Sequence, residues 1–74
     1  MQLTVQLHGV FRADRFKEKV ADYPHGTSVR NIVEQLRLPD HLLGIVLING
    51  IHAHLDSQLE DGDIISLLPI LDGG

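Results

Sequence analysis

Few residues of this chain are equipped to do chemistry. The sequence ends in Gly73-Gly74, and the α-carboxylate of Gly74 is the first candidate. With a reference pKa of about 3.3–3.7 it is ionised at neutral pH, and inert as an electrophile until one oxygen becomes a leaving group. The two glycines carry no Cβ, so such a terminus is thin and can thread a narrow channel. His52-x-His54 places two imidazoles on one face of an expected strand, which is half of a metal site. With no cysteine in the chain and no third histidine nearby, two solvated side chains on a sheet edge explain them better, and no metal ligand is assigned. Asp61 and Asp63 flank Gly62, where carboxylates more simply make turn hydrogen bonds than act as an acid–base pair. Arg12, Arg15, Lys17 and Lys19 form one basic cluster. Its plain reading is a solvated loop, and its functional one is steering towards an acidic partner. No Ser/His/Asp set, phosphate loop or haem motif occurs, so no catalytic residue is assigned.

Composition narrows the function classes. The 74 residues carry 6 Lys+Arg against 10 Asp+Glu, a formal net charge of −4, which lacks the electrostatic footprint of a nucleic-acid binder. Without cysteine there is no disulfide framework, thiolate zinc site or catalytic thiol. The start Met1-Gln2-Leu3-Thr4 does not read as a signal peptide. The longest apolar run, Ile45-Val46-Leu47-Ile48, is far short of the roughly 20 residues that a membrane span needs. The expected compartment is the cytoplasm, with no membrane partner. Apolar residues make up 43% of the chain, mostly Leu, Ile and Val, enough for one small aliphatic core. A ligand pocket of even ~300 Å³ would consume much of such a core. A self-contained enzyme is therefore not expected.

Periodicity supplies the elements. Leu3, Val5 and Leu7 alternate with Thr4, Gln6 and His8, the period of a half-buried strand. A weaker strand is expected over residues 18–23, with Val20 and Tyr23 as its apolar contributions, closed by Pro24-His25-Gly26. Ser28 caps a helix whose apolar positions Val29, Ile32, Val33 and Leu36 follow at i, i+3, i+4 and i+7. Pro39 bounds it, and residues 40–43 add a short turn. Residues 44–48 do not alternate and read as a strand buried on both faces. Asn49-Gly50 provides the positive φ angles of a tight hairpin, returning into a short strand over 51–55. Leu59 packs down, Asp61-Gly62-Asp63 turns, and residues 64–68 make the last strand before Pro69. One helix covers one sheet face, which gives a two-layer α+β domain with a right-handed crossover. The domain spans residues 1–70, and residues 71–74 form a flexible diglycine tail.

This element order, Asn49-Gly50 after an apolar strand, Leu59-x-Asp61-Gly62-Asp63 before the last strand, and the closing Gly73-Gly74 resemble the MoaD/ThiS family of ubiquitin-like sulfur carriers. The resemblance implies a ubiquitin-like β-grasp, a mixed sheet with one main helix on one face and with first and last strands parallel at its centre. It implies that Gly74 is adenylated and converted to a thiocarboxylate, with Asp72 and Gly73 as the tail that presents it. It also implies that partners grip the helix-free face through Leu68, His8 and Ile64, with Ser66 alongside. Where His8 stands the family usually has an aromatic residue, and it favours two prolines where this chain has Pro69-Ile70.

The implied partners are a ubiquitin-activating-type adenylating enzyme that uses ATP and Mg, and a persulfide sulfur donor. The final partner is the large subunit of molybdopterin synthase or, alternatively, a thiazole synthase. No cofactor is expected on the chain itself. The stretch around residues 12–17 is longer than the turn usual in the thiamin branch. Phe11-Arg12 resembles the molybdopterin branch, so delivery of sulfur to a molybdenum or tungsten pterin is the preferred expectation. A different class of reading is a protein modifier whose tail forms isopeptides with lysines.

Overall fold

The chain is described by a computed structural model covering residues 1–70. Its elements are β1 (Gln2–Leu7), β2 (Glu18–Asp22), α1 (Val29–Gln35), β3 (Leu43–Ile48), β4 (Ile51–His52) and β5 (Ile64–Pro69). Short 3-10 turns lie at Gly9–Arg12 and Asp40–Leu42. The five strands form one mixed sheet in the order β2-β1-β5-β3-β4, with β1 and β5 parallel and the other pairs antiparallel. This is the ubiquitin-like β-grasp, with α1 covering one face. Among the described residues no helix is long and apolar enough to cross a membrane.

The local signals explain the elements. Ser28 Oγ accepts from the Asn31 N–H at 3.1 Å, and Asn31 Oδ1 accepts from the Ser28 N–H at 3.1 Å. This reciprocal box satisfies amides that the first helical turn would otherwise leave unpaired. Val29, Ile32 and Val33 are buried against Leu3, Val5 and Leu7 of β1, Ile65 and Leu67 of β5, and Val46 of β3. Burying each such side chain contributes about 1.5–3 kcal/mol, so a seven-residue helix holds by its apolar stripe rather than by its length. The helix ends before Pro39, because Arg37 takes φ +54°. Arg15 then reaches the freed end, donating to the carbonyls of Leu36 and Arg37 at 3.2 Å each. Asn49 and Gly50 carry φ +53° and +81°, the positive pair that a two-residue hairpin requires.

Several expectations are corrected. The return strand after Gly50 spans only Ile51–His52. His54 therefore lies beyond it in a turn, its N–H donating to Ser57 Oγ, and the two imidazoles do not share a strand face. Val20 is not a core residue. It pairs with Thr4 on the face away from α1 and is 54% exposed, because the strand's phase is set by its partner. Phe11, which lies between the first expected strand and the basic cluster and belongs to no expected element, is fully buried. The 3-10 turn folds its ring under the end of the sheet, which periodicity over four residues cannot signal. The strand over 43–48 is not buried on both faces, since only Val46 is fully buried.

Candidate functional site

Because β5 runs parallel to β1, the chain leaves the sheet at the end where β1 finishes. The His8 N–H donates to the Leu67 carbonyl at 3.2 Å, and Pro69 pairs with Leu43 of β3. The Ile70 N–H donates to the Leu42 carbonyl at 2.6 Å. The root of the C-terminal segment is thus hydrogen-bonded through Ile70. Gly74, Gly73 and Asp72, the tail residues singled out in the sequence, lie outside the described residues.

The face without the helix is ordered by strand register. At the tail end, His8 stands beside Leu68, which faces Ile45. One row back, Ser66 sits between Gln6 and Leu47. Its Oγ donates to Gln6 Oε1 at 2.9 Å, and Gln6 Nε2 donates on to Glu18 Oε1 at 2.8 Å. At the far end Ile64 lies next to Thr4, and Thr4 next to Val20. The structure therefore puts His8, Ile64, Ser66 and Leu68 on one face. Leu68 and His8 are half-buried, and Ile64 is 40% exposed. His8 Nε2 is shut off from solvent with no partner among the described residues.

Sequence reasoning missed the rest of this surface. Ile45, Leu47 and Val20 belong to it, so an apolar patch surrounds a hydrogen-bonded polar bridge. A continuous apolar run looks the same whether its second face is covered by a helix or left open for a partner. The available signal was arithmetical: one helix cannot cover both faces.

The remaining candidates are mostly absorbed by structure. Asp61 Oδ1 accepts from the Gln2 N–H at 2.6 Å. Asp63 accepts from the Glu60 N–H through Oδ2 and from Asn49 Nδ2 through Oδ1. Asp63 thus makes the expected turn hydrogen bond to Glu60, whereas Asp61 ties the turn to the start of β1. Within the basic cluster, Arg12 Nε donates to the Leu7 carbonyl at 2.8 Å, and Arg15 binds backbone carbonyls only. The Lys19 ammonium sits 5.9 Å from the centre of the Phe16 ring. Two of the four cations thus brace the β1–β2 connection. Arg30 pairs with Asp56 at 3.0 Å, and this hydrogen bond and the adjacent charge hold the Asp56 carboxyl below its ordinary value. Burial raises the Tyr23 phenol.

No group of three or more His, Cys, Asp or Glu side chains able to hold a metal occurs among the described residues. The cleft beside His8, lined also by Gln6, Arg12, Lys17 and Glu18, measures about 130 Å³, below the ~300 Å³ of small ligand sites. A larger recess of about 420 Å³ lies beside Ser28 and Asp56, half-open to solvent like the first. What the geometry provides is a partly apolar face contiguous with the exit of the C-terminal segment.

Comparison with known proteins agrees with that geometry. The profile of the ThiS family matches residues 5–74. Among solved structures, SAMP1 of Haloferax volcanii superposes with a TM-score of 0.77 at 21% identity, covering 100% of both chains. A Pyrococcus furiosus protein provisionally named molybdopterin converting factor, subunit 1, gives 0.76 at 22% identity, over 96% of this chain and 99% of that one. A chain from the complex of subunits 1 and 2 of the molybdopterin-converting factor of Helicobacter pylori gives 0.69 at 24%, with 100% of both covered. At such identities the likeness establishes the fold. No curated protein sequence matches.

Proposed function

The chain belongs to the ThiS family, the ubiquitin-like carriers of MoaD/ThiS type, and from that premise we propose that its working group is the carboxylate of Gly74. An adenylating enzyme of the ubiquitin-activating type transfers AMP from ATP to this carboxylate and releases pyrophosphate. The acyl adenylate replaces a poor oxide leaving group with AMP, and sulfur from a persulfide on another protein displaces it. A second thiolate, supplied by a partner protein or a small thiol, attacks the donor's cysteine sulfur in the resulting S–S bond, forms a disulfide with it and releases a thiocarboxylate. This is a soft nucleophile that is deprotonated at neutral pH, like a thiol of depressed pKa. The chain supplies the tail and a handle; its partners supply the catalysis.

The observation that carries this reading is the family match extending through Gly73-Gly74. It is joined to a fold in which β5 ends at the edge of the open face bearing His8 and Leu68. That face is the proposed docking surface for the adenylating enzyme and then for the large subunit of a synthase. The ten-residue connection 8–17, with its 3-10 turn at Gly9–Arg12, supports the pterin branch over thiazole synthesis. The Helicobacter pylori complex pairs subunit 1 with subunit 2, and the same kind of pairing is proposed here.

The likeness to SAMP1, whose counterpart structure is named small archaeal modifier protein 1, favours a second reading in which the activated Gly74 is transferred to lysine amines. Both readings share the adenylation step. Deletion of Gly74 tests that step: adenylate formation with the cognate enzyme is expected to be lost, and a truncated chain activated like the intact one overturns both. Intact mass from the native cell then separates them, since a carrier gains sulfur for oxygen and a modifier appears as lysine-linked adducts.

A further inference from the structure

We propose that Gly44 is a positioning residue for the C-terminal segment, a flat seat on β3 that fixes where and in which direction the chain leaves the sheet. The inference rests on the reading that the segment beyond Ile70 must enter a partner's active site.

Gly44 sits where the β3–β5 register shifts between Leu43 and Ile45, an irregularity of one residue in the ladder. Such a bulge bends a strand and re-aims what it supports. A Cβ built at Gly44 would lie 2.9 Å from both Cα and N of Ile70, and 3.1 Å from the carbonyl carbon of Pro69. These are backbone atoms, so no side-chain rotation relieves the collision. Gly44 does not have a positive φ, so dihedral freedom is not what requires glycine here; close approach is. The contact presses Ile70 onto the start of β3, where its N–H reaches the Leu42 carbonyl at 2.6 Å. On the opposite side, a Cβ at Gly9 would meet Pro69 Cγ at 3.1 Å. Pro69 and Ile70 therefore lie between two positions that admit no side chain without displacement.

The seat sets reach as well as direction. Four residues follow Ile70, and a chain of that length spans at most about 14 Å. A carboxylate on so short a tether depends on where the tether is rooted. A misplacement of 1 Å at a reacting centre can cost about a hundredfold in rate. Gly44 touches neither ATP nor the reacting carboxylate, so its effect falls on presentation of Gly74 and not on docking of the open face.

The test compares Gly44→Ala with Gly62→Ala. Gly62 has φ +89° and nothing within 4 Å of its would-be Cβ, so its substitution strains the fold without touching the chain end. Two readouts are taken on each full-length protein: exchange of the Ile70 amide by NMR, and adenylate formation with the cognate enzyme. Gly44→Ala is expected to accelerate Ile70 exchange selectively and to lower kcat by about tenfold or more, with KM for the carrier within about twofold. Gly62→Ala should leave both unchanged, apart from any global loss of stability. A Gly44→Ala protein with native Ile70 protection and native kcat overturns the proposal, as does one that loses KM alone. Should Gly44→Ala not fold, the intact chain decides: Ile70 must be protected and show a Gly44–Ile70 Hα contact, and an unprotected Ile70 sinks the idea. If the intact chain forms no adenylate, the reading of Gly74 fails, while the seat is still judged by exchange.

Discussion

Asn49 and Asp63 lock two turns together: Asn49 Nδ2 donates to Asp63 Oδ1 at 2.9 Å, while Asn49 Oδ1 accepts from the Ile64 N–H at 2.9 Å. One side chain thereby ties the β3–β4 hairpin to the start of β5, from a residue at φ +53°. Replacing it with alanine removes both hydrogen bonds and leaves a Cβ in the left-handed region without local compensation. Asn49→Ala is expected to destabilise by about 2–3 kcal/mol. Asn49→Gly, relieved of the backbone term, should lose less. Urea midpoints at unchanged slope measure both, and equal losses would dissociate the effect from the φ angle.

Phe11 is the residue that makes the β1–β2 connection part of the core. Its ring is fully buried although both neighbours in sequence are exposed. Truncation to alanine should cost about 3–5 kcal/mol, and thermal unfolding would report it as a large fall in Tm. A loss under ~1 kcal/mol would mean that the turn repacks without the ring.

Leu68 and Ile64 can be tested for docking without touching the core, since both side chains point away from α1. Leu68→Asp is expected to keep the fold and weaken association with the adenylating enzyme by tenfold or more, about 1.4 kcal/mol. Calorimetric titration compares the two proteins. Wild-type affinity in a folded Leu68→Asp protein would remove this face from the docking surface.

Arg30 and Asp56 predict a pH dependence of stability. The Asp56 carboxyl is held below its ordinary 3.8 first by the hydrogen bond from Arg30 and then by its charge. A depressed folded-state value means that the contribution is present above the unfolded pKa and is lost as pH falls through the folded one. The stability gap between the wild type and Asp56→Asn should thus be constant well above the ordinary 3.8 and narrow as pH falls below it, through the depressed folded-state value. Both groups are exposed, so the gap is small and shrinks with salt. A gap that widens on acidification would contradict the sign.

Arg15 ties the end of α1 to the β1–β2 connection, donating to the carbonyls of Leu36 and Arg37 at the helix end and to those of Phe11 and Ala13 in its own connection. A cation at a helix C-terminus is favourable by about 0.3–1 kcal/mol, and Arg15→Ala should cost that much or slightly more. Arg15→Lys should recover only part, because a single ammonium cannot span the carbonyls of Leu36 and Arg37 together. Full rescue by lysine would leave charge alone as the cause.

The sequence by itself determined the elements and most of their ends. Alternation from Leu3 to His8 marks β1, the Ser28 cap and the 3.6-residue stripe mark α1, and Asn49-Gly50 and Asp61-Gly62-Asp63 mark turns by the backbone angles they permit. It also carried the family pattern and the terminal glycines. These are local properties, encoded within a few residues of one another. Tertiary structure decided the rest. Val20, Ile45 and Leu47 look like core residues in sequence and become surface residues, because period tells which side chains share a face but not whether that face is covered. Phe11 belongs to no element that local pattern marks and becomes core, because its neighbours are distant in the chain. The parallel pairing of β1 with β5, about 60 residues apart, brings His8 beside Leu68. The meeting of Gly44 with Ile70 likewise exists only after the sheet has closed, so no local signal can announce why that position carries no side chain.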